Sequence, residues 1–312
     1  MSKRNRTIPR WLVSAVLGVV VFITFAQPGL SQFNIGIGGG SDDDGINIDI
    51  FRAAKTVRSA SEAKQGFTYA QEHYLGRAIA ANILSEYKLY EDPAANRYVT
   101  LLGQTIAMHS DMPQTYGGYR FLILDSDEVN ALAAPGGIIF ITRGMLRACE
   151  NEDQLAAVLA HEVSHVQGRH GVELINDSRW KKFGTDAVFL AASGFGGGDI
   201  AAATELFGDM VKDITNEILT KGYGKKLESE ADTASLSILQ RIGYEPHESV
   251  ALMQNMEQRF ERGRKDFGST HPKPKDRIKT IDKALKGGPD AQAVPPVRES
   301  RFGTALSAAK SQ

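Results

Sequence analysis

Five consecutive residues, His161-Glu162-Val163-Ser164-His165, constrain this chain of 312 residues more than any other feature. They sit inside a helical pattern. Asn151 can cap the N-terminus, Glu152 and Asp153 follow in the first turn where the helix dipole favours negative charge, and Leu155, Leu159, Val163 and Val166 form an apolar stripe. Gly168 and Gly171 mark the end of the run. In a helix, residues i and i+4 lie one turn apart on one face, so both imidazoles can aim at a single ion, and neutral imidazole is a good zinc ligand. Glu162 is turned about 100° around the axis, where it can reach a zinc-bound water rather than the metal. The pattern therefore predicts a zinc hydrolase helix with one Zn2+ per chain.

A catalytic zinc needs a third protein ligand and one open position. The only Cys, Cys149, stands just before the helix and reads as a small buried apolar residue. The better candidates are 63 residues beyond His165, where Leu227, Ala231, Ala234 and Ile238 recur at helical spacing and Glu228 and Asp232 share a face. One of these carboxylates can bind the metal while the other accepts a hydrogen bond from the ring N–H of a ligating His and fixes its tautomer.

Four motifs then stand in register. They are the Asn130–Thr142 segment with its Pro135-Gly136-Gly137 turn, the HExxH helix, Gly222-Tyr223-Gly224-Lys225-Lys226-Leu227-Glu228-Ser229-Glu230-Ala231-Asp232, and Ser269-Thr270-His271-Pro272. Together, over roughly residues 68–285, they resemble the HtpX/BepA-type zinc metallopeptidases, HExxH gluzincins related to the CaaX prenyl proteases. The resemblance implies that His161, His165 and Glu228 bind the metal, that Glu162 is the general base, and that Asp232 backs a ligand. It also implies that His271 can fill the open position as a removable fourth ligand, holding the enzyme latent. Lys225 stands where the family has Arg, and it cannot make the same bidentate fork. Leu132 replaces the usual Phe near a substrate subsite. Tyr223 and His271 are both candidates for the donor that stabilises the oxyanion.

Val129–Ala133 and Ile138–Ile141 are apolar, β-prone runs separated by turn residues. If Asn130, Ala131, Leu132 and Ala133 form an exposed edge, an extended peptide can add to it through main-chain hydrogen bonds, largely without regard to side chains. That mode suits unfolded or misfolded envelope proteins as substrates of a zinc endopeptidase. The alternative is a chaperone-like envelope protein that binds through the same edge and cleaves little.

At the N-terminus Lys3, Arg4, Arg6 and Arg10 precede an apolar run from Trp11 to Ala26, the layout of a secretory signal. The run spans only about 24 Å as a helix, short for a hydrocarbon core of about 30 Å. Export across the inner membrane to the periplasm with cleavage near Ala26 is expected; retention as a membrane anchor by residues 11–26, or peripheral membrane association, is the alternative. Removing residues 1–26 takes away four positive charges and changes the net charge from −1 to −5, so no basic surface for nucleic acid is expected. One Cys permits no internal disulfide. Residues 27–50 read as a Gly/Asp-rich linker, 51–286 as the metallopeptidase domain, and 287–312, rich in Pro, Ala, Gly and Ser, as a flexible tail. Ala187–Phe195 is apolar but too short to cross a membrane. The fold expected is α+β and predominantly helical, a zincin-like domain with a small β-sheet, an active-site helix carrying HExxH, and the metal between two helices.

Overall fold

The computed structural model describes residues 69–175, 197–261, 270–288 and 290–311. The segments 1–26, 27–50 and 187–195, and Ser269, lie outside the described residues. Helix α1 (Tyr69–Glu86) leads to α2 (Pro93–Met108), which starts where the sequence signals it. The Asp92 side chain accepts from the N–H groups of Ala94 and Ala95, and Pro93 needs no partner at the first helical position.

Three short strands follow: β1 (Arg120–Leu124), β2 (Ala131–Ala134) and β3 (Ile138–Thr142). Their order is β1-β3-β2, with β1 parallel and β2 antiparallel to the central β3. Alternation sorts the side chains onto two faces. Phe121, Ile123, Ala131, Ala133, Ile139 and Ile141 join the main core, whereas Leu124, Leu132, Ala134 and Phe140 join a second core beneath α1. Leu132, expected near a subsite, thus contributes packing on the second face.

Beyond the sheet come α3 (Arg143–Ala148), α4 (Glu152–Gln167), α5 (His170–Ile175), α6 (Gly197–Lys221), α7 (Lys225–Arg241), α8 (Glu248–Glu261) and α9 (Pro274–Leu285). Helix α4 carries HExxH through the middle of the main core, against α2, β2, α7 and α8. Every residue from Glu152 to Val166 is buried. A helix apolar on one stripe but buried all round must give each polar side chain a partner, and α4 does so along its length. Asn151 caps Gln154 N–H, and Ser164 returns its hydroxyl to the Ala160 carbonyl.

The C-terminal segment corrects the expectation of a flexible tail. It forms α10 (Pro296–Ala305) and α11 (Ser307–Ser311), and Phe302, Leu306 and Ala309 are buried in the main core. Three apolar residues at helical spacing outweigh the Pro/Ala/Gly/Ser composition on which that expectation rested. Among the described residues no helix is long and apolar enough to cross a membrane.

Candidate metal centre

Helices α4 and α7 pack side by side and bring the two sequence motifs together. His161 Nε2 and His165 Nε2 lie 3.1 Å apart, which is the i, i+4 geometry read from the sequence. From α7, Glu228 places Oε2 3.5 Å from His161 Nε2 and Oε1 3.7 Å from His165 Nε2. His271 completes the cluster, with Nε2 3.9 Å from an oxygen of Glu162 and 3.9 Å from Glu228 Oε2. Ligand atoms of His161, His165, Glu228 and His271 all lie within 4.8 Å of one another.

Partners outside the cluster fix how each group is aimed. His161 Nδ1 lies 3.0 Å from Asp232 Oδ1, so the ring N–H donates to Asp232 and Nε2 is left free to bind. The buried Arg277 of α9 straps Asp232 in turn, its Nη2 donating to Oδ1 at 2.6 Å. Thr270 donates its hydroxyl to Asn130 Oδ1 at 3.1 Å and accepts from His271 Nδ1 at 2.9 Å, which turns His271 Nε2 toward the cluster. Gly222 lies against this segment with φ +64, and a Cβ there would sit 1.6 Å from the Thr270 carbonyl oxygen. Only glycine allows that approach.

The edge strand also reaches the centre. The Asn130 carbonyl accepts from Thr142 N–H of β3, and Leu132 and Ala134 share its register in the ladder, so the main-chain groups of Ala131 and Ala133 point outward. Ala133 N–H donates to the Glu162 carboxylate, and its carbonyl accepts from the Tyr223 hydroxyl. The Tyr223 ring stacks on His165 at 4.2 Å between centroids. A cavity of about 30 Å³ beside Glu162, His161 and Arg277, walled by Val158, Leu252, Met253 and Ile281, is the space next to the base.

The electrostatics show what kind of ion the cluster suits. Both Glu228 oxygens and Glu162 Oε2 are buried without a hydrogen bond of normal length, although buried carboxylates are normally satisfied. Burial opposes ionisation of Glu228, but the charges of His271, His165 and His161, with a hydrogen bond from His161, hold it far below the usual carboxylate range. Burial and Arg277 oppose protonation of His161, yet Asp232 and Glu228 draw it up to about 9. Burial, aided by His161, drives His165 well below its ordinary value. The site calls for one positive charge at its centre. Two ligands 2.0–2.1 Å from one tetrahedral zinc are roughly 3.3–3.4 Å apart, close to the spacings found here. Two imidazoles and a carboxylate are also a zinc donor set, so the residues fit the ion.

The structure brings together most of the residues that the sequence singled out, Leu132 excepted, whose side chain packs in the second core. His161, His165, Glu228 and His271 converge, Glu162 and Asp232 flank them, and Tyr223, Asn130, Ala131 and Ala133 line the same place. Two residues that touch the cluster escaped the sequence reading. Arg277 follows His271 by six residues with no spacing rule to mark it. His170 follows His165 by five, and its Nδ1 lies 2.9 Å from His165 Nδ1.

A sequence model of peptidase family M48 matches residues 93–285. The chain is similar to the beta-barrel assembly-enhancing protease of Escherichia coli (strain K12), 26% identical over 225 residues that cover 70% of this chain and 44% of that protein. It is 35% identical over 165 residues to the mitochondrial metalloendopeptidase OMA1 of Schizosaccharomyces pombe, covering 52% of this chain and 44% of the relative. To OMA1 of Saccharomyces cerevisiae it is 31% identical over 172 residues, covering 50% and 43%. The chain spans under half the length of these curated relatives.

Proposed function

The chain belongs to peptidase family M48, and from that membership we propose that it is a zinc-dependent endopeptidase for unfolded or misfolded proteins of the cell envelope. The observation that carries this reading is the buried convergence of His161, His165 and Glu228 beside an unpaired Glu162 oxygen. Zinc held by those three residues would supply a Lewis acid that polarises a peptide carbonyl and makes water nucleophilic at neutral pH.

The other steps belong to the chain's own groups. Glu162 takes a proton from the attacking water and returns it to the leaving amine. Burial, with the neighbouring Glu228 charge, pushes Glu162 up to about 7 against the pull of His161 and Arg277, and a base near working pH can both accept and release a proton. Ala133 N–H holds one side of that carboxylate in place. An extended peptide would add to the sheet at the outward main-chain groups of Ala131; those of Ala133 are engaged by Glu162 and Tyr223, so a peptide pairing there would have to displace Tyr223. Tyr223 and His271 are the candidates for stabilising the oxyanion; Tyr223 would exchange its bond to Ala133 for that task.

His271 is proposed to keep the site latent. It faces both Glu162 and Glu228 and lines the small cavity beside the base. His271→Ala is expected to raise hydrolysis of a denatured protein; equal or lower hydrolysis with zinc retained would remove the latch. Export through residues 1–26 is proposed to place the enzyme in the periplasm, which fractionation and the mass of the mature chain would test.

The first test is the zinc content of the full-length chain beside its Glu228→Gln variant. One zinc per chain, weakened or lost in the variant, is expected. A folded protein without zinc after metal-replete purification would defeat the endopeptidase reading. A chaperone-like binder would then lead, and it predicts that Glu162→Gln leaves clearance of misfolded protein in cells unchanged.

A further inference from the structure

We propose that His170 is a positioning residue of the metal site: it accepts the Nδ1 proton of His165 and so holds that ring in the tautomer whose Nε2 faces the ion. The inference rests on the proposed role of His165 as a zinc ligand. The two Nδ1 atoms are 2.9 Å apart, a distance that requires one to donate and the other to accept. His165 Nε2 points at His161 Nε2, 3.1 Å away, and at Glu228, 3.7 Å away, so its lone pair belongs on that side. His165 Nδ1–H is then the donor. His170 accepts and carries its own proton on Nε2, which faces Glu230 Oε2 at 3.6 Å.

The backbone is built to put the ring there. Helix α4 ends at Gly168, and a Cβ on Gly168 would lie 2.3 Å from His170 Nε2. Arg169 adopts φ 53, a left-handed conformation that is costly for a residue with a side chain. Its guanidinium is anchored by Glu72 at 2.8 Å and lies over the Tyr69 ring at 4.8 Å. His170 is 4% exposed. The stacked Tyr223 ring steadies His165 as well, so the ligand is fixed by a ring stack and a hydrogen bond together.

The two histidine ligands are therefore supported differently. An anion, Asp232, backs His161, whereas a neutral imidazole backs His165. A carboxylate in place of His170 would crowd a further negative charge beside Glu162, Glu228 and Asp232, which already share the buried Arg277. An imidazole fixes the tautomer without adding charge.

Asparagine and leucine share a branched outline, and asparagine Oδ1 can stand where His170 Nδ1 stands. Zinc affinity of the full-length wild type, His170→Asn and His170→Leu would be measured by competition with a chromophoric chelator. His170→Leu is expected to bind zinc about 10–100-fold more weakly than wild type, with most of the loss recovered in His170→Asn. Equal affinities in the two variants, beside tight binding in the wild type, would overturn the inference, since any loss would then come from packing. A wild type that binds no zinc would instead sink the endopeptidase reading, and this inference with it. Should the variants not fold, 15N-histidine spectra of the zinc-loaded wild type decide: a proton on His165 Nδ1 is expected, and one on Nε2 overturns it.

Discussion

Glu162 and Asp232 are both buried carboxylates within reach of His161, yet their surroundings drive them in opposite directions. Burial pushes Glu162 up to about 7, while Arg277 and His161 overcome burial and bring Asp232 down to about 2. The first is equipped to move a proton, the second to stay ionised and orient a ring. Glu162→Gln is accordingly expected to lower hydrolysis of a denatured protein by at least about 10²-fold with zinc content unchanged; loss of zinc in that variant would count against its role as base. Asp232→Asn should weaken zinc binding by about 10–100-fold in chelator competition, because His161 loses its anionic partner and Arg277 loses the carboxylate to which it donates. His161, Glu162 and His165 were legible because one helix fixes their relative positions. Glu228 and Asp232 were legible as a pair for the same reason, though not which carboxylate meets the metal. His170 was not. Five residues along an unbroken helix would leave it on another face, and only the turn at Gly168 and Arg169 folds it back onto His165.

Helix α4 is an element whose polar residues are explained only by what surrounds it. Its N-cap and apolar stripe follow from local sequence, but the stripe predicted one buried face and the structure buries them all. The polar face is absorbed by partners from distant segments, among them Glu248, which accepts from Asn151 and Gln154 at 3.0 and 2.9 Å. Strand β2 behaves similarly. Its edge position agrees with the alternation and the Pro-Gly-Gly turn, but Tyr223 and Glu162 already engage its outward groups. Two substitutions test the element boundaries. Asp92→Ala removes the cap of α2 and should cost about 1 kcal/mol in denaturant unfolding. Gly222→Ala should cost more, about 1–3 kcal/mol or a displaced Thr270–His271 segment, since the new methyl meets the Thr270 carbonyl. A neutral result there would mean that this segment yields easily.

At the scale of the whole molecule, the C-terminal helices lock onto the start of the HExxH helix. Glu152, fully buried, accepts from Tyr98 at 2.6 Å, from Tyr244 at 2.7 Å and from the Arg301 guanidinium, while Arg298 reaches Asp153 at 2.6 Å. Burial opposes ionisation of Glu152, but Arg301 and the two tyrosines hold it below its ordinary value of 4.5. Below about pH 4.5 the unfolded chain therefore binds a proton at Glu152 before the folded one does, so stability contributed above that pH is lost as pH falls through the folded value. Unfolding of metal-free protein by urea between pH 3 and 7 should show a shallower acid loss in Glu152→Gln than in wild type, from a lower starting stability; an identical slope would show that the cluster is not titrating. Removing residues 296–312 should abolish cooperative unfolding, because it strips Phe302, Leu306 and Ala309 from the core and leaves Glu152 and Asp153 buried beside empty space. By itself the sequence determined what spacing along one helix or strand can encode: the imidazole pair, the carboxylate pair, the caps, and the alternation of the sheet. Only the tertiary structure decided how those pieces meet. Arg277 on Asp232, Arg301 on Glu152 and Thr270 on Asn130 join residues 45, 149 and 140 positions apart, where no local geometry ties one side chain to another. Those pairs form because a buried charge or hydroxyl must find a partner once packing has excluded water.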